Sequence, residues 1–211
     1  ISFYNTQDLS WNTEWAFRDN VSCPPTICDV FSSGNTYGFN VSNINNYNYT
    51  IQEFTPPCNY EVNESGIINM TADIIGCTEN NIINITASDV VFDCQSYTIN
   101  GTGDNGIFVT ADNVTIQNCN IGITGNNGIY YDGANNGTIY NNTISAGNNS
   151  IYLQLSSDNN NIIKNNISAG NDHGIYIKTS SDNNISNNII STDEDYGIYL
   201  NSSSNNSITN N

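Results

Sequence analysis

A short phrase returns five times in this chain: glycine or serine, then isoleucine, an aromatic residue and an apolar residue. It reads Gly106-Ile107-Phe108-Val109, Gly128-Ile129-Tyr130-Tyr131, Ser150-Ile151-Tyr152-Leu153, Gly174-Ile175-Tyr176-Ile177 and Gly197-Ile198-Tyr199-Leu200. The starts lie 22, 22, 24 and 23 residues apart. A second phrase keeps the same beat: Asn118-Cys119, Asn141-Asn142, Asn165-Asn166, Asn187-Asn188 and Asn210-Asn211. A period near 23 marks a solenoid, whose units bury their apolar faces against one another.

Alternation within the phrase assigns the faces, because successive strand residues point to opposite sides. Ile107, Ile129, Ile151, Ile175 and Ile198 are expected inside, with Val109, Tyr131, Leu153, Ile177 and Leu200. A second inward stack is Ile116, Ile139, Ile162 or Ile163, Ile185 and Ile208. A third is Ile121, Ile144, Ile167 and Ile189. The strands are short and separated by Asn, Gly, Ser and Asp turns, with no helical periodicity. Five to six rungs are expected from residue 89 onward. Phe108, Tyr130, Tyr152, Tyr176 and Tyr199 then form an outward aromatic stripe. Such a stripe is a stacked ladder, a protein interface or a glycan-binding surface.

Residues 1–57 lack the repeat and hold Trp11, Trp15, Phe17 and both Pro-Pro pairs. They read as a segment capping the first rung or contacting another subunit, with residues 58–211 as the solenoid. Ile1 to Asn20 also suits a strand laid on a neighbour. The chain starts at Ile1 without Met, as a mature or excised piece does. At the other end Asn210-Asn211 stops in mid-rung, which implies continuation or a covering subunit.

Charge narrows the partners. Three Lys and Arg stand against twenty Asp and Glu, for a formal charge of -17. Such a surface repels nucleic acid and anionic lipid headgroups. No apolar run is long enough to insert in a membrane. The six cysteines, Cys23, Cys28, Cys58, Cys77, Cys94 and Cys119, lack zinc-type spacing and point to disulfides and an oxidising compartment. Asn-x-Ser/Thr occurs 15 times. The 43 Asn and 41 Ser plus Thr give about eight by chance, and the excess suggests N-glycans. The candidate acceptors are Asn20, Asn40, Asn48, Asn63, Asn84, Asn113, Asn148, Asn184 and Asn201.

The residues from Val114 to Ile121, the Gly-Ile-Tyr-Tyr phrase and the run Asn183 to Ile190 carry a resemblance. They are similar to right-handed parallel β-helix repeats of the NosD-like, carbohydrate-binding and sugar-hydrolase group. Cys58, Gly66, Thr71 to Ile74, Cys77, Ile83 to Ala87 and Val90 to Cys94 resemble the entry to such helices in archaeal surface proteins. The resemblance implies an all-β, right-handed parallel β-helix over about residues 58–211. It also implies an inward hydrogen-bonded ladder of Cys94, Cys119, Asn142, Asn166, Asn188 and Asn211, so Asn166 is expected to carry no glycan. In that register Cys94 and Cys119 sit on adjacent rungs, about 5 Å apart at Cα. Locality alone favours Cys58–Cys77 and Cys23–Cys28, among fifteen arrangements of six cysteines.

Chemistry finds little footing. Asp172-His173-Gly174 resembles a fragment of polygalacturonase motifs, but the paired acids of glycoside hydrolysis are missing nearby. His173 is expected to be a solvated turn residue, and Asp158 and Asp182 to be structural turn residues. No catalytic residue is assigned. One His and one Met make copper handling a poor fit. Asp193, Glu194 and Asp195 form the only calcium candidate, against the plainer reading of a solvated acidic turn. The expected function is a structural, glycosylated cell-surface protein of an S-layer or extracellular filament, self-associating and bearing covalent N-glycans. A carbohydrate-binding or carbohydrate-active β-helix, or an adhesin or spike, is the alternative.

Overall fold

The computed structural model describes residues 28–33, 36–44, 47–53 and 55–211, with side chains from residue 55 onward. Trp11, Trp15, Phe17, Cys23 and Asn20 lie outside the described residues, as do the side chains of Cys28, Asn40 and Asn48. The expectations placed on Ile1 to Asn20 and on a Cys23–Cys28 bridge fall there too.

From Tyr60 the chain winds through seven rungs. A rung lays down three strands of three to six residues, one on each of three faces. In the third rung they are Asn105–Val109, Thr115–Gln117 and Asn120–Ile123. Each strand pairs in parallel with its equivalents one rung before and after. The first face has seven strands, from Tyr60–Val62 to Ile198–Asn201. The second runs from Gly66–Asn69 to Ser207–Thr209. The third has six strands, from Ile74–Cys77 to Ile189–Thr192. The second face is extended by Tyr47–Glu53, which pairs in parallel with Gly66–Asn69. Antiparallel pairing then adds Thr36–Ile44 and Cys28–Ser33. The winding therefore starts two rungs before the clear sequence repeat.

The core is a set of like-on-like columns. Ile83, Ile107, Ile129, Ile151 and Ile175 stack in register and are fully buried. Phe92, Ile116, Ile139, Ile162 and Ile185 do the same beneath the second face, which selects Ile162 over Ile163. Each buried isoleucine contributes about 1.5–3 kcal/mol. The third column is Ile99, Ile121, Ile144, Ile167 and Ile190. Ile189, expected in it, is 73% exposed. Ile189 and Ile190 are adjacent, and a one-residue slip sends a side chain to the other face. Ile208 and Leu200, expected inside, are exposed because no described rung lies above them.

Glycine in the repeated phrase has a steric cause. A Cβ on Gly128 would fall 2.4 Å from Ile144 Cγ2 and 2.7 Å from the Ser150 carbonyl oxygen. In the next rung that place is held by Ser150, whose hydroxyl donates to the Ser168 carbonyl at 2.6 Å.

Candidate functional site

Polar side chains in this molecule are spent first on the neighbouring rung. The inward ladder runs through Cys119, Asn142, Asn165, Asn188 and Asn211. Asn142 Nδ2 and its backbone N–H both donate to Asn165 Oδ1 at 3.0 Å. Asn165 repeats this to Asn188 at 2.9 and 3.0 Å, and Asn188 to Asn211 at 3.0 and 2.8 Å. The second Asn142 proton goes to the Ile116 carbonyl, so the buried amide is satisfied. The expected member Asn166 is instead exposed on the strand Asn166–Ala169. The exact 23-residue step from Cys119 through Asn142 selects Asn165, and the doubled asparagine hid it. Burial therefore gives no reason for Asn166 to lack a glycan.

Further ladders escaped the sequence reading. Gly137, Asn160 and Asn183 donate backbone N–H groups to Asn160, Asn183 and Asn206 respectively, at 2.6 to 2.9 Å. Asn105, Asn127 and Asn149 pass their Nδ2 protons down to Asn81, Asn105 and Asn127. The steps 160, 183 and 206 were visible as a period, but they lay inside Asn-rich turns.

Cysteine takes the ladder position at the lower end. Cys94 and Cys119 are bonded, with Cα atoms 4.7 Å apart, as the register requires. Cys58 and Cys77 are also bonded, at 5.6 Å. Together with Glu79 they are the one described trio of metal-type donors that converge, and the disulfide occupies both sulfurs.

On the first face the aromatic stripe is present, half-buried and in register. Ring centroids follow at 5.0, 5.0, 4.9 and 5.3 Å from Phe108 to Tyr199. Tyr130, Tyr152 and Tyr176 stack with interplanar angles of 19° and 13°. Their faces are covered by one another, leaving edges and hydroxyls outward. A sugar ring that needs an open aromatic face finds none in the middle of the stripe.

Beside it runs a polar column, two residues further along each strand. Tyr152 OH donates to Gln154 Oε1 at 2.6 Å, and Gln154 Nε2 reaches Tyr130 OH and Asp132 Oδ1. Burial, the Asp132 carboxylate and Tyr152 push the Tyr130 phenol up to about 12. Burial and the neighbours Tyr176 and Asp132 raise Tyr152 as well. Tyr131, wholly buried, donates to the Val114 carbonyl at 3.0 Å, and burial drives its phenol far upward.

His173 is a correction to the solvated turn residue expected. Its side chain is only 12% exposed. It packs against Tyr176, Tyr199 and Tyr196 at centroid distances of 5.1, 4.6 and 5.8 Å. It sits at the top of the Asn81–Asn149 column, which carried it under cover. Nδ1 is buried without a hydrogen bond, and Asp195 Oδ2 stands 3.9 Å away. No second carboxylate forms an ion pair with it among the described residues. Asp172 is half-buried. Asp193, Glu194 and Asp195 are exposed in a turn, and they are not part of the converging trio. Asp158 is structural, taking the Ser181 backbone N–H at 2.6 Å.

The candidate glycan acceptors sort by exposure. Asn63 and Asn113 are exposed, while Asn84, Asn148, Asn184 and Asn201 are half-buried. Asn148 donates to Asn126 within an outward ladder that runs from Asp104 to Asn171, and Asn184 donates to Asn161.

A family model described as the right handed beta helix region matches residues 81–211. The chain belongs to that family. The match covers more than half of the chain and makes the parallel winding right-handed. No curated protein and no solved structure gives a significant match. The fold hosts enzymes and non-enzymes alike, so membership does not choose between them.

Proposed function

We propose that this β-helix is a structural, N-glycosylated cell-surface protein, a subunit of an S-layer or extracellular filament of archaeal type. One observation carries the reading. None of the sequon asparagines among the described residues is buried, and none of the buried asparagines belongs to a sequon. Strand alternation explains the separation: an inward Asn142 is followed two residues on by inward Ile144, whereas outward Asn166 is followed by outward Ser168. The winding thus keeps the acceptor amides out of the interior, where eight other asparagines are buried. Two described disulfides suit an oxidising exterior.

Electron microscopy of native envelopes, with antibody labelling of this chain, tests the reading. Labelled sheets or filaments support it. A dispersed, unglycosylated monomer defeats it and returns attention to polysaccharide binding.

A further inference from the structure

The first face between Phe108 and Tyr199 differs from the rest of the surface. The strands Asn105–Val109, Asn127–Asp132, Asn149–Gln154 and Ile175–Lys178 carry no acceptor asparagine of a sequon. Sequon asparagines bound this stretch on the same face, Asn84 in register below Phe108 and Asn201 in register above Lys178, so only the rungs between them lack an acceptor; there the face presents the edges of a column of aromatic rings.

Its polar column has a charge order. Asp132 lies beside Gln154 in register, and Lys178 follows one rung above Gln154. The Lys178 side chain is exposed and forms no ion pair among the described residues. The other described lysine, Lys164, is placed 5.7 Å over the Tyr140 ring. Asp132 uses one carboxylate oxygen for Gln154. Within one chain Asp132 and Lys178 are two rungs apart, about 10 Å, so they barely satisfy each other.

We infer that this face pairs with the same face of a second copy, with the two helix axes antiparallel. A two-fold axis in the interface, along the strands at the level of Tyr152 and Gln154, sets aromatic column on aromatic column. It brings Asp132 of each copy against Lys178 of the other, twice. The arrangement with parallel helix axes sets Lys178 toward the column of His173 and gains no such pair. In a chain of charge -17, self-association needs a place where a cation meets an acid, and this face supplies one. Asp104 and Asp195, in turns at one edge, stand toward each other in this arrangement and weaken it. Five rungs about 4.8 Å apart with strands of about five residues span on the order of 400 Å², below the roughly 800 Å² per partner of a standard interface, so pairing is weak in dilute solution and formed at high local concentration.

The inference deepens the surface-assembly reading and rests on it. Its test is sedimentation of the glycosylated chain from micromolar to millimolar concentration, for the wild type, Lys178→Glu, Asp132→Lys and the double variant. The expected result is association weakened at least about tenfold in each single variant and restored to within about threefold when the charges are exchanged. Both positions are on the outer surface, and circular dichroism checks that each variant folds. Single variants that associate like wild type overturn the antiparallel pair, as does a double variant that stays weak. If the variants leave association untouched while native envelopes still show arrays, only this face is ruled out. A chain that never associates, and forms no array, removes both readings.

Discussion

Asn165 Oδ1 accepts two hydrogen bonds from Asn142, one from the backbone and one from the side chain, each 3.0 Å long. Both residues are buried. Removing the carboxamide leaves Asn142 donors without water or partner. Asn165→Ala should destabilise the fold by about 2–3 kcal/mol. Asn166→Ala, one residue away on the outer surface, should change stability by less than about 0.5 kcal/mol. Denaturant melts of the two variants decide the register. Equal losses would contradict it.

The Cys94–Cys119 bridge closes a 25-residue separation within the same column. By loop entropy it contributes about 3 kcal/mol, and reduction should lower the melting temperature accordingly. Cys119 receives no side-chain partner from above except through its backbone N–H, which donates to Asn142 Oδ1 at 2.9 Å. Cys94→Ala combined with Cys119→Asn extends the ladder by one step. It should be more stable than Cys94→Ala combined with Cys119→Ala, and thermal melts without reductant compare them.

Gly128→Ala places a methyl group 2.4 Å from Ile144 Cγ2 and against a backbone oxygen that cannot yield. The expected loss is about 1–3 kcal/mol by overpacking. A neutral result would show that the rung spacing relaxes more easily than the stacked core suggests.

Alkaline pH should unfold the chain early. Burial raises the phenols of Tyr131, Tyr130 and Tyr152 above their ordinary value of 10.0, Tyr130 to about 12. The unfolded chain releases those protons first, so stability is complete below about pH 10 and falls as pH rises through the folded values. Tyr131→Phe keeps the packing and removes the most buried titrating group. Its stability should decline less steeply between pH 10 and about 12 than that of wild type. Parallel slopes in urea melts across that range would assign the alkaline loss elsewhere.

Much of the fold was legible because the repeat is strict where the core is. Ile107, Ile129 and Ile151 recur at a fixed step, and each is fully buried. The first two rungs were less visible, since Tyr60–Val62 and Asn81–Ile85 lack the aromatic phrase. Register failed where two identical residues adjoin, at Asn165-Asn166 and Ile189-Ile190, because either member fits the pattern and only the paired neighbour decides. The cover over His173 was hidden for another reason: Tyr196 and Tyr199 come from the next rung.

The claim that the outer surface carries glycans is tested most directly by glycopeptide mass spectrometry of the native protein. The account predicts occupied sites on exposed sequon asparagines, including Asn63, Asn113 and Asn166. Bare asparagines throughout would contradict it.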